Sequence, residues 1–332
     1  MKTILIAGSK NLEQQSCELK REFAMKMGAA VVSEPNWRLI TGGARGSGED
    51  ECTGGIDFHA ALGAQEYIKN SIEENEKIIT LHPRVNRTDL FYIGRVVLGR
   101  ARSTRARRFE LVSRADAVVV IEGGEGSEQI IEYSITADKV VIPIACYGGK
   151  AKELWNLYRQ ELMNTLKLPE GSPDLQVIEK ASETPDLVVK ACVNILKRLL
   201  KPLCFVIMPF KLSHSSILWE SILKPVIDEA GFLPQRADFV HNVGQIIDDI
   251  THLLKEAHVV VADITGANPN VMYELGYAHA LGKYTIIICS CDGDVQIDDK
   301  LPFDIRGMRI YQYDAWKAQE FRKELSILLQ KI

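Results

Sequence analysis

Short apolar runs alternate with longer amphipathic stretches along the first 200 residues. The runs Thr3–Ala7, Trp37–Thr41 and Ala117–Ile121 have the length and the β-branched content of buried strands, and helical stretches separate them. This alternation is typical of an α/β fold in which helices cover both faces of a parallel sheet. We therefore predict a Rossmann-like, doubly wound sheet for this part of the chain.

The same pattern starts again after a segment rich in turn-forming residues. Residues 168–186 are polar and contain several prolines and a glycine, which predicts a loop or linker, and Pro202 ends the helix that follows it. Further apolar runs then occur at Cys204–Met208, His258–Ala262 and Tyr284–Cys289. The chain thus predicts two tandem Rossmann-like α/β domains, residues 1–200 and residues 201–332, each with a ligand site at the carboxyl ends of its strands.

Composition narrows the class of protein without defining its function. The hydrophobic fraction is 46% and the charged fraction 25%, as in ordinary globular proteins. No apolar run is long enough to span a membrane and the N-terminus lacks a signal-peptide pattern, so we expect a cytoplasmic protein. The seven cysteines have no zinc-ligand spacing, which predicts core thiols and no metal site. We also expect no resident cofactor. A net charge of −4 disfavours nucleic acid as the main partner.

The stretch Asp263–Gly282 carries the most informative chemistry of the second half. Asp263 follows an apolar run, and Glu274 lies near the start of the next predicted helix, where Gly276 leaves room for a close approach. The positive end of a helix favours an ionised carboxylate. Beside a sugar, such a carboxylate can stabilise an oxocarbenium ion or attack the anomeric carbon, while a second carboxyl group protonates the leaving base. From the residues alone, Glu274 can equally be an acid that only the helix dipole favours.

Three segments of this half resemble the nucleoside 2-deoxyribosyltransferase superfamily and its TIR-like relatives in bacterial anti-phage proteins. The segments are Phe205-Val-Ile-Met-Pro-Phe210, Ala257-His-Val-Val-Val-Ala-Asp263 and Asn268-Pro-Asn-Val-Met-Tyr-Glu-Leu-Gly276. The resemblance covers residues 203–313. The chain departs from the metabolic transferases because its first loop lacks their tyrosine, and this departure leaves the substrate open.

The resemblance implies roles for individual residues. Glu274 falls on the family's catalytic nucleophile, an acid near the start of the preceding helix (Asp249 or Asp248) serves as general acid, and Asp263 contacts the base or the ribose. The residues implied to line the nucleotide pocket are Met208, Pro209 and Phe210, with Asn268 and Asn270 shaping the loop before Glu274.

Two glycine-dense turns follow predicted strands in the first half, at Gly42–Gly48 and at Gly123–Ser127. Backbone N–H groups in such turns, together with the start of a helix, can hold a phosphate. Neither turn is a dinucleotide-binding fingerprint or a Walker A motif. Taken singly, each is explained equally well as a tight turn.

Together, Thr41-Gly42-Gly43 and Glu122–Ile130 resemble the SLOG superfamily, Rossmann-like domains related to the LOG cytokinin-activating phosphoribohydrolases. The resemblance covers residues 1–160 and implies that both turns face one nucleotide pocket. Glu122 replaces the proline of the family's motif, and the register leaves Glu128 and Glu132 as candidates for its catalytic glutamate. These departures favour ligand sensing, and SLOG domains fused to NAD-consuming domains are thought to bind nucleotide second messengers.

Seven arginines lie within twenty positions of the first half: Arg95, Arg100, Arg102, Arg105, Arg107, Arg108 and Arg114. A guanidinium group pairs with phosphate through two hydrogen bonds, so a helix with several arginines suits a multiply phosphorylated or cyclic nucleotide. A solvated basic helix or an oligomer contact is the alternative. The residues that we expect to sense the ligand are Gly42, Gly43, Arg45, Arg102, Arg105, Gly123, Gly124, Gly126 and Ser127.

The leading hypothesis is an effector of bacterial anti-phage defence that a nucleotide second messenger activates. The messenger binds the first domain, and the second domain hydrolyses the N-glycosidic bond of NAD⁺, which is a substrate and not a cofactor. The resemblance also implies a homo-oligomer, since related active sites are completed by neighbouring subunits. The alternatives are a constitutive nucleoside or deoxynucleotide N-glycosidase or 2-deoxyribosyltransferase, and a non-catalytic nucleotide-binding module.

Overall fold

The computed structural model describes residues 1–9, 17–45, 54–84, 88–180, 184–209, 215–236, 246–291, 303–314 and 318–332, with the side chains of 246–249 and 318 excepted. The chain divides into two compact units, Met1–Leu200 and Lys201–Ile332. Each unit contains a sheet of parallel strands flanked by helices, so the predicted α/β class with two Rossmann-like sheets is confirmed.

The first unit contains a six-stranded parallel sheet in the order β4-β3-β2-β1-β5-β6. Its strands are β1 (Lys2–Gly8), β2 (Trp37–Thr41), β3 (Ile78–His82), β4 (Arg95–Leu98), β5 (Ala117–Ile121) and β6 (Val140–Ile144). All five residues of β5 are buried, because a central parallel strand has helices on both faces. The strand order reverses between β1 and β5, and this switch point is where open parallel sheets bind their ligands.

Nine α-helices among the described residues surround this sheet. They are α1 (Cys17–Ser33), α2 (Ile56–Tyr67), α3 (Ser71–Lys77), α4 (Thr104–Arg114), α5 (Glu125–Thr136), α6 (Gly149–Leu157), α7 (Arg159–Leu166), α8 (Pro173–Glu179) and α9 (Pro185–Leu199). The prediction of a linker over residues 168–186 was wrong, because α8 lies inside it. Pro173 takes the first helical position, where its missing N–H costs nothing, and Leu175 and Ile178 pack into the core.

The second unit contains a five-stranded parallel sheet in the order β11-β10-β9-β7-β8. Its strands are β7 (Leu203–Ile207), β8 (Leu233–Arg236), β9 (Val259–Asp263), β10 (Tyr284–Ser290) and β11 (Ile310–Tyr313). Its helices are α10 (Ser215–Leu218), which a π-helical turn at Trp219–Leu223 joins to α11 (Lys224–Glu229), α12 (Ile246–Glu256), α13 (Pro269–Ala280), α14 (Phe303–Arg306) and α15 (Ala318–Gln330). Two apolar cores, one on each face, hold these layers together.

The cysteines partly follow the sequence-based expectation. Among the described residues, the free thiols of Cys146, Cys192, Cys204 and Cys289 are buried, and that of Cys291 is exposed. Cys17 in α1 is disulfide-bonded, so the expectation of core thiols was wrong at this position. No group of three or more His, Cys, Asp or Glu side chains in the described ranges could hold a metal ion. None of the described helices has the length and apolarity that a membrane span requires.

Candidate functional site

A pocket of about 250 Å³ lies at the switch point of the first unit, over the carboxyl ends of β1 and β5. Residues from β1, α2, α4 and the start of α5 contribute to its wall. The polar and glycine residues among them are Gly8, Ser9, Gly55, Asp57, Arg107, Arg108, Gly124, Gly126 and Ser127. This pocket therefore lies where the parallel sheet predicts a ligand site.

Arg107 is held in the wall of this pocket by the backbone of the first glycine turn. Its side chain is only 6% exposed, and its Nη1 donates a 2.6 Å hydrogen bond to the carbonyl oxygen of Gly42. The N–H of Gly42 donates in turn to Oδ2 of Asp57 at 2.9 Å. A Cβ at position 42 would collide with that carboxylate oxygen. The glycine thus lets Asp57 of α2 and Arg107 of α4 hydrogen-bond to the N–H and the carbonyl oxygen of the same residue, which fixes the direction of Arg107.

Arg108 is held against the start of α5. Its Nη1 donates a 2.8 Å hydrogen bond to the side-chain oxygen of Gln129, whose amide donates to Glu125 at 2.9 Å. The guanidinium lies so close to Gly126 that a Cβ there would be 2.7 Å from Nη2. A cation beside the positive end of a helix is unfavourable by itself. An anion bound between them would remove this repulsion, so the geometry suits a phosphate group.

The start of α5 is open toward ligands because a glycine caps it. Gly124 occupies the N-cap position and makes no side-chain cap hydrogen bond, so backbone N–H groups of the first turn are left for a ligand. Gly123 has a φ of +88°, and Glu122 before it has a φ of +51°. Because a proline ring cannot reach a positive φ, Glu122 differs in conformation as well as in chemistry from the proline of the motif it resembles.

The other residues expected at this pocket lie elsewhere. Arg102 and Arg105 are exposed and do not contribute to its wall. Arg102 precedes α4, and the buried face of α4 is formed by Arg107, Leu111 and Val112. Arg45 is exposed and packs over the ring of Phe58 at 5.0 Å.

Gly43, at a φ of +71°, fits closely against His82 and is buried. It therefore shapes the turn and is not part of the wall. The sequence signal that could have distinguished Arg107 from the exposed Arg105 is the N-cap residue Ser103. It fixes where α4 starts, and hence which of its side chains face inward.

Neither glutamate proposed as a catalytic residue of this half lines the pocket. Ser127 and Ile130, one turn apart, face it. Glu128 instead lies 3.8 Å from Lys150 in a partly exposed ion pair, and Glu132 is absent from the described wall. The pocket of the first unit thus combines cationic and backbone donors with the carboxylate of Asp57 and with apolar side chains, among them Ile130.

The second unit has a pocket of about 250 Å³ between α12 and α13. Glu274, Asn270, Tyr273 and Tyr277 line it from one face of α13. On the side of α12 the wall is formed by Ile250, Thr251 and Leu254. The pocket therefore offers one carboxylate among aromatic and aliphatic groups.

Burial raises the pKa of Glu274 to about 7, because desolvation penalises its charged form. The residue is the sixth of α13, which begins at Pro269. The side chain of Asn268 caps this helix, because its oxygen accepts from the N–H of Asn270 at 2.9 Å. At neutral pH Glu274 can therefore exist in either protonation state, as acid–base and cation-stabilising chemistry require.

Asp263 does not share the pocket of Glu274. It is completely buried, and its carboxylate accepts hydrogen bonds from Thr265 and Tyr313. Met208 and Pro209 follow β7 and are also buried. Phe210 and the side chain of Asp249 lie outside the described residues. Of the residues expected in the nucleotide pocket, only Glu274 and Asn270 are brought together by the described structure.

Comparisons with known proteins give low similarity. No protein-family model matches the chain, and no curated protein matches it. A molybdenum cofactor binding protein from Rippkaea orientalis is 16% identical, with a TM-score of 0.41 over 60% of this chain and 98% of that one. A molybdenum cofactor carrier protein from Chlamydomonas reinhardtii is 16% identical, with a TM-score of 0.36 over 59% and 98%.

DNA processing protein A from Helicobacter pylori is 14% identical, with a TM-score of 0.31 over 50% of this chain and 80% of that one. Evidence about function therefore comes from the pockets of this chain.

Proposed function

We propose that this protein is an N-glycosidase gated by a nucleotide. A nucleotide second messenger binds the pocket of the first unit, and the second unit hydrolyses the N-glycosidic bond of NAD⁺ as an effector of anti-phage defence. The observation that carries the catalytic part is the desolvated carboxylate of Glu274, with a pKa of about 7, in an aromatic pocket. The similarity of the Asn268–Gly276 motif to N-glycosidic-bond enzymes points to the same residue.

The chemistry of the Glu274 pocket favours a cationic reactant. A carboxylate that burial has made costly to ionise gains most from a positive charge placed beside it. The pyridinium ring of NAD⁺ brings that charge, and the pocket is lined by Tyr273 and Tyr277, whose aromatic rings can attract a cation. At about 250 Å³ the pocket is smaller than the roughly 300–1,000 Å³ of whole-ligand sites, so it suits one moiety of a dinucleotide.

The reaction balances without an added oxidant or acid. The bond between C1′ and the pyridinium nitrogen breaks, and its electron pair stays on the nitrogen, so nicotinamide leaves as a neutral base. Glu274 stabilises the positive charge that develops on the ribose, either as an ion partner or by attacking C1′. Water then adds its oxygen to C1′ and loses one proton. The products are nicotinamide, ADP-ribose and a proton.

The pocket of the first unit supports binding without catalysis. Its two arginines are pre-oriented by hydrogen bonds to Gly42 and Gln129, which reduces the entropy lost when an anion binds. Ile130 occupies the turn of α5 that faces the pocket, and the carboxylate of Asp57 in the wall accepts a hydrogen bond from the N–H of Gly42, which gives it a structural role. We therefore assign messenger sensing to this unit.

The proposal requires coupling between the units. A messenger activates only if it binds the active arrangement more tightly than the resting one. We also expect self-association, as in related enzymes whose sites are completed by a neighbouring subunit. Gating by a ligand and assembly by contact are thus separate requirements, and each can be measured.

Purified protein incubated with NAD⁺ or with deoxynucleosides, with and without a panel of cyclic nucleotides, tests the proposal. Release of nicotinamide only in the presence of one of the cyclic nucleotides is the expected result. Base release from deoxynucleosides without an activator would support a constitutive N-glycosidase or transferase instead. Nucleotide binding without turnover of any substrate would leave a binding module and overturn both enzyme functions.

A further inference from the structure

A buried ion pair joins α1 to the residue that precedes the phosphate cradle, which we define as Gly123–Ser127. The ammonium of Lys20 donates to Oε1 of Glu122 at 2.5 Å. Lys20 is 3% exposed and Glu122 is 7% exposed. The two residues are 102 positions apart in the chain, so only the folded unit brings them together.

Glu122 carries two energetic costs. Its φ of +51° lies in the left-handed region, which residues other than glycine rarely adopt. Its second carboxylate oxygen, Oε2, is buried and has no hydrogen-bond partner in the described structure. Replacing a buried ion pair by apolar groups is often neutral or stabilising. Overall stability therefore does not explain why this strained residue is charged and paired.

The contacts of Glu122 lead directly to the cradle. Its carbonyl oxygen accepts from the N–H of Ala151, and the carbonyl oxygen of Gly123 accepts from the N–H of Lys150 at 3.0 Å. Gly149 packs against Glu122 so closely that a Cβ at position 149 would be 2.8 Å from Cγ of Glu122. The backbone is thus held by the start of α6, and the side chain is held by Lys20 from α1.

We infer that the Lys20–Glu122 pair is a positioning element that holds the cradle Gly123–Ser127 in its phosphate-binding conformation. The anchored side chain keeps residue 122 at positive φ, so that the chain reverses after β5 and Gly124 can cap α5. Without the anchor, a non-glycine residue relaxes toward negative φ, and the N–H groups at the start of α5 turn away from Arg108. This inference rests on the proposed binding of a phosphate at this pocket.

Two double variants separate positioning from stability. Lys20→Met/Glu122→Leu removes the pair without leaving a buried charge, but keeps a side chain at the strained position. Lys20→Met/Glu122→Gly also removes the pair, but glycine adopts positive φ freely. We expect the leucine variant to bind adenosine 5′-monophosphate about tenfold or more weakly than the wild type, which is the loss of one charge-assisted hydrogen bond. The glycine variant should stay within about threefold of the wild type, because its cradle is unmoved.

Calorimetric titration with adenosine 5′-monophosphate and with inorganic phosphate measures the affinities, and circular dichroism checks folding. Amide NMR shifts of Gly124, Gly126 and Ser127 report the cradle without any ligand. We expect these shifts to move in the leucine variant and to stay in the glycine variant. Wild-type shifts and affinity in a folded leucine variant would overturn the inference, and so would equal changes in both variants.

Failure of the proposed function gives a different result from failure of this inference. If wild-type protein binds neither probe, the phosphate site is refuted, while the ligand-free NMR shifts still decide whether the pair positions the cradle. If the leucine variant does not fold, Lys20→Arg is the variant to test, because it retains the positive charge but changes the length and geometry of the side chain that carries it. Moved cradle shifts in that variant support the inference, and unmoved shifts overturn it.

Discussion

The hydroxyl of Tyr313 donates a 2.9 Å hydrogen bond to Oδ2 of Asp263, which lies 50 residues earlier at the end of β9. The other oxygen, Oδ1, accepts from the N–H and the hydroxyl of Thr265 at 3.1 and 2.5 Å. All three residues are buried. The carboxylate therefore ties β11 to the loop that leads into α13.

Asp263→Asn should consequently lower stability. The amide leaves at least one buried hydroxyl or N–H of this cluster without its acceptor, which costs about 2–3 kcal/mol of the free energy of unfolding. Urea unfolding measures the loss. Asp304→Asn, at an exposed position, is the matched control and should change stability by about 0.5 kcal/mol or less. If Asp263→Asn is as stable as the wild type but no longer turns over NAD⁺, Asp263 would instead act in catalysis.

The candidate site of the second unit was only partly predictable from sequence. The Asn268-Pro269 pair indicates a helix start by local rules, because asparagine is a common N-cap residue and proline fits the first turn. The position of Glu274 within the helix then follows by counting from Pro269. Which side the carboxylate faces depends on the packing of α12 beside α13, and no local pattern encodes that packing. The partners of Asp263 were also hidden, because Tyr313 belongs to a strand that the sequence did not reveal.

Glu274→Gln should abolish hydrolysis of NAD⁺ by the activated protein. The amide keeps the shape of the side chain but removes the charge that stabilises the developing cation, so we expect kcat to fall by about 100-fold or more. Nicotinamide release measures turnover. Binding of adenosine 5′-monophosphate to the first unit should be unchanged. Glu256→Gln, at the exposed end of α12, is the control, and turnover by Glu274→Gln equal to that of this control would remove Glu274 from the mechanism.

The same residue should make stability depend on pH. Burial raises the pKa of Glu274 to about 7, above its value in the unfolded chain, so the native state resists ionisation. Wild-type stability is therefore reduced as the pH rises from about 4.5 to about 7, and the reduction then stays constant.

Glu274→Gln has no carboxyl group to ionise, so it avoids this loss of stability. Its free energy of unfolding should exceed that of the wild type by about 1–2 kcal/mol at pH 8, after allowance for solvent screening. At pH 5 the two proteins should nearly coincide, because the wild-type carboxyl is then mostly neutral. Calorimetric unfolding at both pH values checks this. A variant less stable than the wild type at pH 8 would contradict the desolvation of Glu274.

Substitutions along α4 should separate the arginines that bind phosphate from those that only face solvent. Arg108→Met removes a pre-oriented guanidinium at the start of α5 and should weaken binding of adenosine 5′-monophosphate by about 10- to 100-fold. Arg107→Met should do the same and should also lower stability, since the carbonyl of Gly42 loses its donor. Arg105→Met is the matched control and should bind within about threefold of the wild type. A larger loss for Arg105→Met than for Arg108→Met would place the ligand outside the pocket.

The fold was easier to predict than the site, and its gaps have one physical cause. The strands that the sequence revealed, such as β5 and β9, are fully buried and read as continuous apolar runs. The strands that it missed, β4, β8 and β11, lie at sheet edges, where mixed exposure removes the apolar signal. The arginines of α4 were also hard to assign from sequence. Composition shows how many there are, but the rotation of α4 about its axis decides which of them face inward.

Two helical glycines should respond in opposite ways to replacement by alanine. A Cβ at Gly276 would meet no heavy atom within 4 Å, whereas a Cβ at Gly28 would collide with the backbone of Ala60. Gly276→Ala should therefore raise stability by about 0.5–1 kcal/mol, because alanine loses less backbone entropy in a helix. Gly28→Ala should lower it by about 1–3 kcal/mol through overpacking. Both values follow from urea unfolding.

Turnover of NAD⁺ by Gly276→Ala decides whether this glycine has a further role. Because the space beside Gly276 is open in the described structure, we expect the variant to retain wild-type kcat and KM. A raised KM together with raised stability would mean that a substrate group or a neighbouring subunit approaches the helix there, as the sequence suggested. The split between stability and KM identifies such a contact, because a packing defect would lower both stability and activity.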